Sequence, residues 1–436
     1  MKSKVYSSVE QFKEQNAELK TDLPISDDNS VLCQKVKIGN LELSNRLVCQ
    51  AMEGCDGTSD GRPDELTVRR YERLSKGGAG LIWFEATAVC NEGRANPRQL
   101  YINKKNLDDF KKIVENIKRW GMKENGYEPA VIMQATHSGR YSKPEGKPAP
   151  IIAYNNPIFE KDNPIDKSRI ITDEGLDRVH ESLVHAAGLA KEAGFDGVDI
   201  KCCHRYLNSE LLSAFTREGR YGGSFENRTR LLRESVRDSI SLCGDGFTVT
   251  SRMNVYDGFP YPYGFGVKEG EGITPDLSEA DRLIKELAEL GVKLLDITMG
   301  NPYFNPHVNR PYAAGGYEPP EHPLCGVARM LKGTAKLGKA NPDVSLICSG
   351  LSFLGAAAPG VAAAFIEEGG FSLAGFGRMI FAYPDFAKDI VNGRFDPKKI
   401  CIACSKCTEI MRAGGTPGCI VRDGETYMPI YKKYCK

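Results

Sequence analysis

The chain has 436 residues, of which 41% are apolar and 26% are charged, the composition of an ordinary globular protein. This length accommodates one large domain with an appendage, or two domains of common size. The 58 Lys and Arg residues nearly balance the 57 Asp and Glu residues, giving a net charge of +1, so we expect no nucleic-acid partner.

Signals for membrane insertion or secretion are not evident in the sequence. No apolar run reaches the ~18 residues that indicate a membrane span, and the first thirty residues lack the apolar core of a signal peptide. We therefore expect a cytoplasmic protein with no membrane partner. In that compartment the 14 cysteines are predicted to stay reduced or to bind metal rather than to form disulfides.

Three regions are predicted along the chain. Residues 1–35 are polar and helix-prone, and they are expected to form either a surface arm or a partly ordered tail. Residues 36–395 alternate short apolar runs with amphipathic segments, and such runs, buried on both faces, are typical of parallel strands. Residues 396–436 contain clustered cysteines and a tail. The eight apolar runs lie at residues 47–52, 80–86, 130–135, 197–202, 248–253, 294–299, 345–349 and 372–376.

The segments between these runs are predicted to be helices. Thr172 is a predicted N-cap of a helix that ends at Gly194. Ser278, with Asp281 three residues later, is predicted to open another helix that ends at Gly291. Eight strands, each followed by a helix, predict a closed (β/α)8 TIM barrel, whereas an open doubly wound sheet is the alternative fold.

The cysteines after the barrel follow a C-x2-C-x2-C-x11-C pattern. Three closely spaced thiolates and one distant thiolate match the way a [4Fe–4S] cluster is held by four cysteines. A structural zinc ion also accepts four cysteines, but zinc sites usually contain two separated C-x2-C pairs. The spacing therefore favours a [4Fe–4S] cluster over zinc, with these ligands: Cys401, Cys404, Cys407 and Cys419.

Polar residues are concentrated where the predicted strands end, which is where barrel enzymes carry their chemistry. Gly-rich turns after the seventh and eighth strands are suited to binding a phosphate through backbone N–H groups, and Arg378 adds a charge-assisted contact. The other polar residues at strand ends are Glu53, Glu85, Gln134, His137, Lys201, His204, Tyr206 and Arg252.

Several motifs, in this order, resemble the Old Yellow Enzyme family: NRLVCQAM, YERLSKGGAGLIWFEATAV, QATHSGR, GRYGGSFENRTR and GFGRMIFAYPDFAKDI. With the cysteine segment, residues 36–425 are similar to the iron–sulfur branch of that family, which contains 2,4-dienoyl-CoA reductase and trimethylamine dehydrogenase. The resemblance implies an FMN-binding barrel. It also implies which residues contact FMN: Ala51, Met52 and Ala86 at the ring system, Gln134 and Arg252 at its pyrimidine side, and Ser349, Gly350, Gly377 and Arg378 at the phosphate.

The resemblance also implies catalytic roles at the end of the fourth strand. Tyr206 takes the position of the proton donor that protonates the α-carbon after hydride from flavin N5 reaches the β-carbon. His204 takes one of two positions that grip a substrate oxygen. Lys201 departs from the family, which places histidine there, and a lysine at this position either polarises an enone or enoate oxygen or binds a carboxylate.

The larger members of the branch continue into a second dinucleotide-binding domain. Here seventeen residues follow Cys419 and no G-x-G-x-x-G motif follows a strand, so we expect a short form that does not bind FAD. Electrons are then expected to come from a separate redox protein, such as a ferredoxin, a flavodoxin or a flavoprotein. Direct reduction of FMN by NAD(P)H is the alternative source.

The predicted function is reduction of an activated C=C bond in a small unsaturated substrate, which is an enoate, an enoyl thioester or an enone. One alternative is an amine dehydrogenase of the trimethylamine dehydrogenase type, although no aromatic cage for a methylammonium is evident in the sequence and Lys201 would repel a cation. Another is a non-catalytic electron-transfer subunit of a larger complex. The oligomeric state is left open, a homo-oligomer being common for this fold.

Overall fold

The computed structural model describes residues 4–435 and contains a closed barrel of eight parallel strands. A two-stranded antiparallel hairpin precedes the barrel. The predicted (β/α)8 barrel is confirmed, and each predicted apolar run overlaps one barrel strand. The hairpin consists of β1 (Val36–Ile38) and β2 (Leu41–Leu43), and the barrel strands in chain order are β3 (Leu47–Cys49), β4 (Leu81–Ala88), β5 (Ala130–Thr136), β6 (Gly197–Ile200), β7 (Thr248–Asn254), β8 (Leu294–Thr298), β9 (Ser345–Cys348) and β10 (Leu373–Phe376).

The longer helices after the strands pack their apolar faces on the outside of the barrel, as expected for alternating strand and helix units. Short helices lie within the loops. The helices are α1 (Val9–Glu18), α2 (Glu65–Lys76), α3 (Leu107–Asn125), α4 (Pro157–Glu160), α5 (Asp173–Glu192), α6 (Leu207–Leu211), α7 (Phe225–Arg228), α8 (Arg230–Cys243), α9 (Ser278–Glu289), α10 (Pro306–Asn309), α11 (Pro323–Ala340), α12 (Ala358–Glu367), α13 (Met379–Ala382), α14 (Phe386–Val391), α15 (Lys406–Arg412) and α16 (Gly424–Cys435).

Both predicted helix starts are confirmed, but their capping groups differ. The Thr172 side chain accepts a hydrogen bond from the Gly175 N–H at 3.1 Å, so the predicted cap of α5 is confirmed. Helix α9 does begin at Ser278, but the Ser278 hydroxyl is not its cap. Instead the Asp276 carboxylate, two residues earlier, accepts from the Ser278 N–H at 2.9 Å and so satisfies one of the free donors of the first turn.

The hairpin β1–β2 closes the N-terminal end of the barrel. Ile38, Leu41 and Leu43 pack in one apolar cluster with residues at the beginnings of barrel strands, including Leu81 and Leu294. Because this end is filled with side chains, the opposite end, where the strands finish, is the one available for a ligand.

The chain before the barrel lies against the loop that follows β9. Phe12 of α1 is fully buried, and the Tyr6 ring lies 6.1 Å from the Phe353 ring in an edge-to-face arrangement. The Ala356 N–H donates to the Tyr6 carbonyl at 2.9 Å. The described part of residues 1–35 is therefore packed on the barrel.

The cysteine segment folds back over the first barrel unit. Asp423, at the start of α16, accepts hydrogen bonds from Arg69, at 2.8 and 2.9 Å, and from Arg73, both on α2. The Thr416 hydroxyl donates to the Cys55 carbonyl at 3.2 Å, in the loop between β3 and α2. These contacts hold the segment beside the open end of the barrel.

Across residues 4–435, none of the helices combines the length and hydrophobicity that crossing a membrane would require.

We expect Asp423→Asn to lower the free energy of unfolding by about 1–2 kcal/mol, because two guanidinium groups lose a shared charged acceptor. Urea unfolding measures the change, and limited proteolysis with mass spectrometry locates it in the cysteine segment. Glu42→Gln is the control, since it neutralises an exposed carboxylate that pairs only with the exposed Lys37. Equal stability and equal protease resistance of the two variants would contradict this prediction.

Candidate active site

One large cavity opens where the barrel strands end. Its volume is about 980 Å³ when the solvent-open space at its mouth is counted. Ala86 does not reach it: this residue is buried within β4, and its carbonyl accepts from the Gln99 side chain at 3.0 Å. The other predicted barrel site residues all line the cavity, namely Ala51, Met52, Gln134, Lys201, His204, Tyr206, Arg252, Ser349, Gly350, Gly377 and Arg378.

Arg252 lies on one side of this cavity within a buried polar network. Its Nε is 3.0 Å from the Asp296 carboxylate, and Gln50 donates to both Asp296 (2.8 Å) and Ser349 (2.7 Å). Burial raises the pKa of Asp296 to about 7 against the opposing effect of Arg252. The network holds the guanidinium in one orientation, which suits a group that stabilises negative charge on a flavin.

Gln134 is held in a similar way at the end of β5. Its side-chain amide donates to the Asp199 carboxylate at 2.6 Å, and the same carboxylate accepts from the Trp83 indole N–H at 2.7 Å. The amide oxygen of Gln134 is thereby left free to accept a hydrogen bond from a ligand in the cavity.

Two arginines lie together at the other side of the cavity. Arg378 donates to the Pro311 carbonyl at 2.6 Å, while its buried Nη1 has no partner among residues 4–435. Arg310 lines the same space, and burial together with the nearby Arg378 lowers its pKa to about 10. Gly350 has φ +99°, a left-handed conformation that glycine adopts without strain. A buried guanidinium donor without a partner, close to a second guanidinium, suits a phosphate group, so these residues fit the FMN phosphate.

A left-handed turn after β6 directs Lys201, His204 and Tyr206 toward one region. His204 and Arg205 have φ angles of +63° and +61°, which cost energy for residues other than glycine. The buried Arg205 guanidinium compensates by donating to Asp257 at 2.9 Å and to the Tyr154 hydroxyl at 3.0 Å. Arg205 therefore fixes the turn without itself lining the cavity.

Tyr206 is buried, and its hydroxyl lies in a short polar cluster. The hydroxyl is 2.9 Å from the Tyr303 hydroxyl and donates to the Glu53 carboxylate at 3.1 Å. Burial and the Glu53 charge raise the pKa of Tyr206 well above its usual value. The phenol is accordingly protonated at neutral pH, as a proton donor must be.

Lys201 and His204 flank this phenol. The Lys201 ammonium lies 3.7 Å from the centre of the Tyr206 ring, in a cation–π contact. Burial lowers the pKa of Lys201, the Glu53 charge opposing the effect. Burial and the Arg252 charge hold the pKa of His204 far below its usual range, so His204 is neutral and offers one ring N–H.

Among the cavity residues that the sequence analysis missed, three lie against predicted site residues: Gln50, Tyr303 and Arg310. Tyr303 and Arg310 both lie in the connection between β8 and α11, residues 299–322, which is long for a loop of this fold. That unusual length was the available signal, because long loops at the open end of a barrel commonly carry function. Gln50 follows β3 directly and had no distinguishing pattern.

The four cysteines of the predicted cluster line a second cavity beside the first. Cys407 lines both cavities, so the two are neighbours. Within residues 4–435, no three His, Cys, Asp or Glu side chains converge closely enough to hold a single metal ion. The cluster stays a prediction.

Comparison with known proteins identifies the family. The family model described as NADH:flavin oxidoreductase / NADH oxidase matches residues 32–396. The chain belongs to this family. It is therefore a flavin oxidoreductase, and membership supports the predictions of FMN and NAD(P)H.

Two curated relatives illustrate the range of similarity. An NADPH dehydrogenase of Bacillus subtilis (strain 168) is 31% identical over 275 residues, which are 61% of this chain and 72% of the relative. An NADH oxidase of Thermoanaerobacter brockii is 26% identical over 381 residues, 85% of this chain but 52% of the relative.

Solved structures share the fold. A 2-naphthoyl-CoA reductase complex aligns with TM-score 0.73 and 21% identity over 94% of this chain and 58% of its own. Histamine dehydrogenase from Rhizobium sp. 4-9 aligns with TM-score 0.67 and 22% identity over 90% of this chain and 52% of its own. This chain therefore spans little more than half the length of these two structures.

We expect Arg310→Met to weaken FMN binding by about tenfold or more, because a charge-assisted contact to the phosphate is lost. The same change should leave the flavin-free protein no less stable, since it removes repulsion with Arg378. Flavin titration by fluorescence and thermal unfolding with and without FMN measure the two effects. Arg282→Met, on the exposed face of α9, is the control. Unchanged FMN affinity of Arg310→Met would contradict a role at the phosphate.

Proposed function

We propose that this protein reduces an activated C=C bond, in an enoate, an enoyl thioester or an enone, with FMN and a [4Fe–4S] cluster as cofactors. It would thus belong to the iron–sulfur branch of its family. The observation that carries the proposal is the position of Tyr206, Lys201 and His204 in the same cavity as the residues that fit FMN. Bound FMN supplies hydride to carbon, and the chain's own side chains bind the substrate and handle the proton.

Tyr206 is suited to protonating the α-carbon of the substrate. Its raised pKa keeps the proton on the phenol until a carbanion-like centre develops nearby. The Glu53 carboxylate and the Tyr303 hydroxyl, at 3.1 and 2.9 Å, orient the phenol within the cavity. Glu53 is itself held by the Gln99 side-chain amide at 2.9 Å, so the orienting group is fixed in turn.

Lys201 and His204 are suited to holding the oxygen of the substrate. Neutral His204 donates one hydrogen bond, and protonated Lys201 adds a positive charge that stabilises an enolate-like oxygen. None of the ion pairs among residues 4–435 involves Lys201. Its charge is therefore available to a carboxylate or carbonyl oxygen, which favours enoates and enoyl thioesters as substrates.

Two features support the cluster. All four cysteines line one cavity, and Cys407 also lines the flavin cavity, so a cluster held by these cysteines would be a neighbour of bound flavin. Each thiolate of a [4Fe–4S] cluster binds a different iron atom, so its ligands surround a volume rather than a single point. The four cysteines surround one cavity and do not converge on a single point, which is compatible with a cluster.

The second candidate function is amine oxidation. Two structural neighbours, a histamine dehydrogenase and a 6-hydroxypseudooxynicotine amine oxidase, support it. A cluster of three tyrosine rings also supports it: Tyr206 and Tyr303 line the cavity, Tyr141 packs against both, and the ring centres lie 4.0 to 6.2 Å apart. Against it, the Lys201 ammonium already covers the Tyr206 ring, the place that a substrate cation would take. The hypothesis of a non-catalytic electron-transfer subunit is less favoured, because such a subunit would not need a proton donor positioned as Tyr206 is.

We expect anaerobically purified protein to show flavin absorption bands with a broad iron–sulfur shoulder. After reduction with dithionite, it should be reoxidised by an enoate or enone but not by methylamines, and Tyr206→Phe should slow that step by about a hundredfold or more. Stopped-flow absorbance measures the rate. Tyr256→Phe is the control, because this buried hydroxyl donates to the Ile273 carbonyl and lies outside the cavity.

Other outcomes of this experiment separate the alternatives. Bleaching of the oxidised flavin by an amine, with no reaction toward alkenes, would overturn the proposed direction of catalysis. Zinc in place of iron and sulfide would overturn the cluster while leaving the flavin assignment intact.

A second test concerns Lys201. Burial lowers its pKa, so its charge is lost at a lower pH than for an ordinary lysine, and the KM for an enoate should rise as the pH increases through the lowered pKa. We expect a rise of about tenfold across pH ~6 to ~10. In Lys201→Arg, whose guanidinium stays charged, KM should remain nearly constant over this range. The same pH dependence in both proteins would exclude Lys201 as the group responsible.

A further inference from the structure

The wall of the cysteine cavity reaches the protein surface on one side. Two apolar side chains from separate parts of the segment are exposed there: Ile402 by 42% and Val421 by 45%. Lys406 and Arg422 also line the cavity. We call these four residues the rim. An apolar centre with charged residues beside it is the usual composition of a protein interface.

The charge of the segment is unlike that of the rest of the chain. Residues 396–436 contain eight Lys and Arg but four Asp and Glu, a net charge of +4, whereas the whole chain carries +1. Arg422 is exposed, and its guanidinium forms no ion pair within residues 4–435, while Lys406 is partly neutralised by Glu409 at 2.8 Å. The segment that contains the cysteines therefore carries an excess of positive charge, and two of its cations, Lys406 and Arg422, line the cysteine cavity.

We infer, on the basis of the cluster proposed above, that the rim is the docking surface for a small acidic electron-transfer protein. A negatively charged face would be attracted by the +4 segment, and the attraction raises the rate of encounter. Contacts with Ile402 and Val421 would bring the carrier's redox centre against the cysteine cavity. A rim of four residues suits a transient complex, since electron-transfer encounters bury little surface.

The same charge argues against a second copy of this chain as the occupant. Two copies that met at their rims would bring one +4 segment against another, and like charges across an interface disfavour association.

The electron count is consistent with this role. Reduction of one C=C bond takes up two electrons and two protons, so a one-electron carrier docks twice in each turnover. Two carrier molecules are oxidised and one alkene is reduced. One proton comes through Tyr206 and the other comes from solvent.

The test uses the whole protein, purified anaerobically, with two probes of opposite charge: an acidic ferredoxin and the basic cytochrome c. Calorimetric titration would be done at about 0.01 M and about 1 M salt, where the Debye length is about 30 Å and about 3 Å. We expect ferredoxin to bind at low salt only and cytochrome c not to bind. Arg422→Glu and Val421→Ser should each weaken ferredoxin binding by roughly three- to tenfold.

Each variant has a matched control. Lys112→Glu makes the same change of charge at an exposed lysine of α3, and Leu242→Ser removes an apolar side chain that is 56% exposed on α8. Ferredoxin affinity equal to wild type in both rim variants, or equal loss in the controls, would overturn the docking surface. Tighter binding of cytochrome c would overturn it as well.

Iron and sulfide analysis of each preparation separates this inference from the proposed function. A protein that contains the cluster but binds ferredoxin without dependence on the rim overturns the docking surface alone. A protein without iron and sulfide that also fails to bind ferredoxin overturns both. Self-association at low salt, measured by light scattering and abolished by Val421→Ser, would assign the rim to a second copy instead.

Discussion

The pairing of the last barrel strand with the first is the constraint on which the site depends. Strand β10 pairs with β3 in parallel, with Phe376 opposite Cys49. This places Gly377 and Arg378, just after β10, beside the residues that follow β3, although more than three hundred positions separate them in the chain. Without closure the phosphate end and the ring end of the flavin cavity would not form one space.

A buried ionic network extends this constraint into the loop after β3. Arg70 of α2 forms ion pairs with Asp56 and Glu85, all three side chains being almost completely buried. The Gly54 N–H donates to Glu85 at 2.7 Å, and a Cβ at Gly54 would overlap the Arg70 guanidinium at 2.0 Å. The loop that carries Glu53 is thus held rigidly by charge and by the lack of a side chain at Gly54. Helix α2 also carries the arginines that hold Asp423, so one helix supports both the active-site loop and the cysteine segment.

The positive charges that line the flavin cavity have three different surroundings. At one end Arg252 lies 3.0 Å from the Asp296 carboxylate, whereas at the other end Arg310 and Arg378 lie close together and neither forms an ion pair within residues 4–435. Buried like charges are unfavourable unless a counter-ion is bound, so that end is prepared for an anion. The surroundings of the Lys201 ammonium differ from both, because it lies against the Tyr206 ring and forms no ion pair with a carboxylate within residues 4–435.

The sequence alone determined the barrel, because the strands of a parallel barrel are continuous apolar runs and the helices between them follow a 3.6-residue period. It also indicated most of the cavity residues, since polar side chains at strand ends meet at one end of such a barrel. Only the tertiary structure decided which residues of distant loops meet: Tyr303 and Glu53 at the Tyr206 hydroxyl, and Arg310 beside Arg378. It also showed that Ala86 does not line the cavity. Only the tertiary structure also showed that the Asp276 carboxylate accepts from the first N–H of α9. Such contacts depend on how irregular loops fold over the barrel, and irregular loops have no period from which their positions can be predicted.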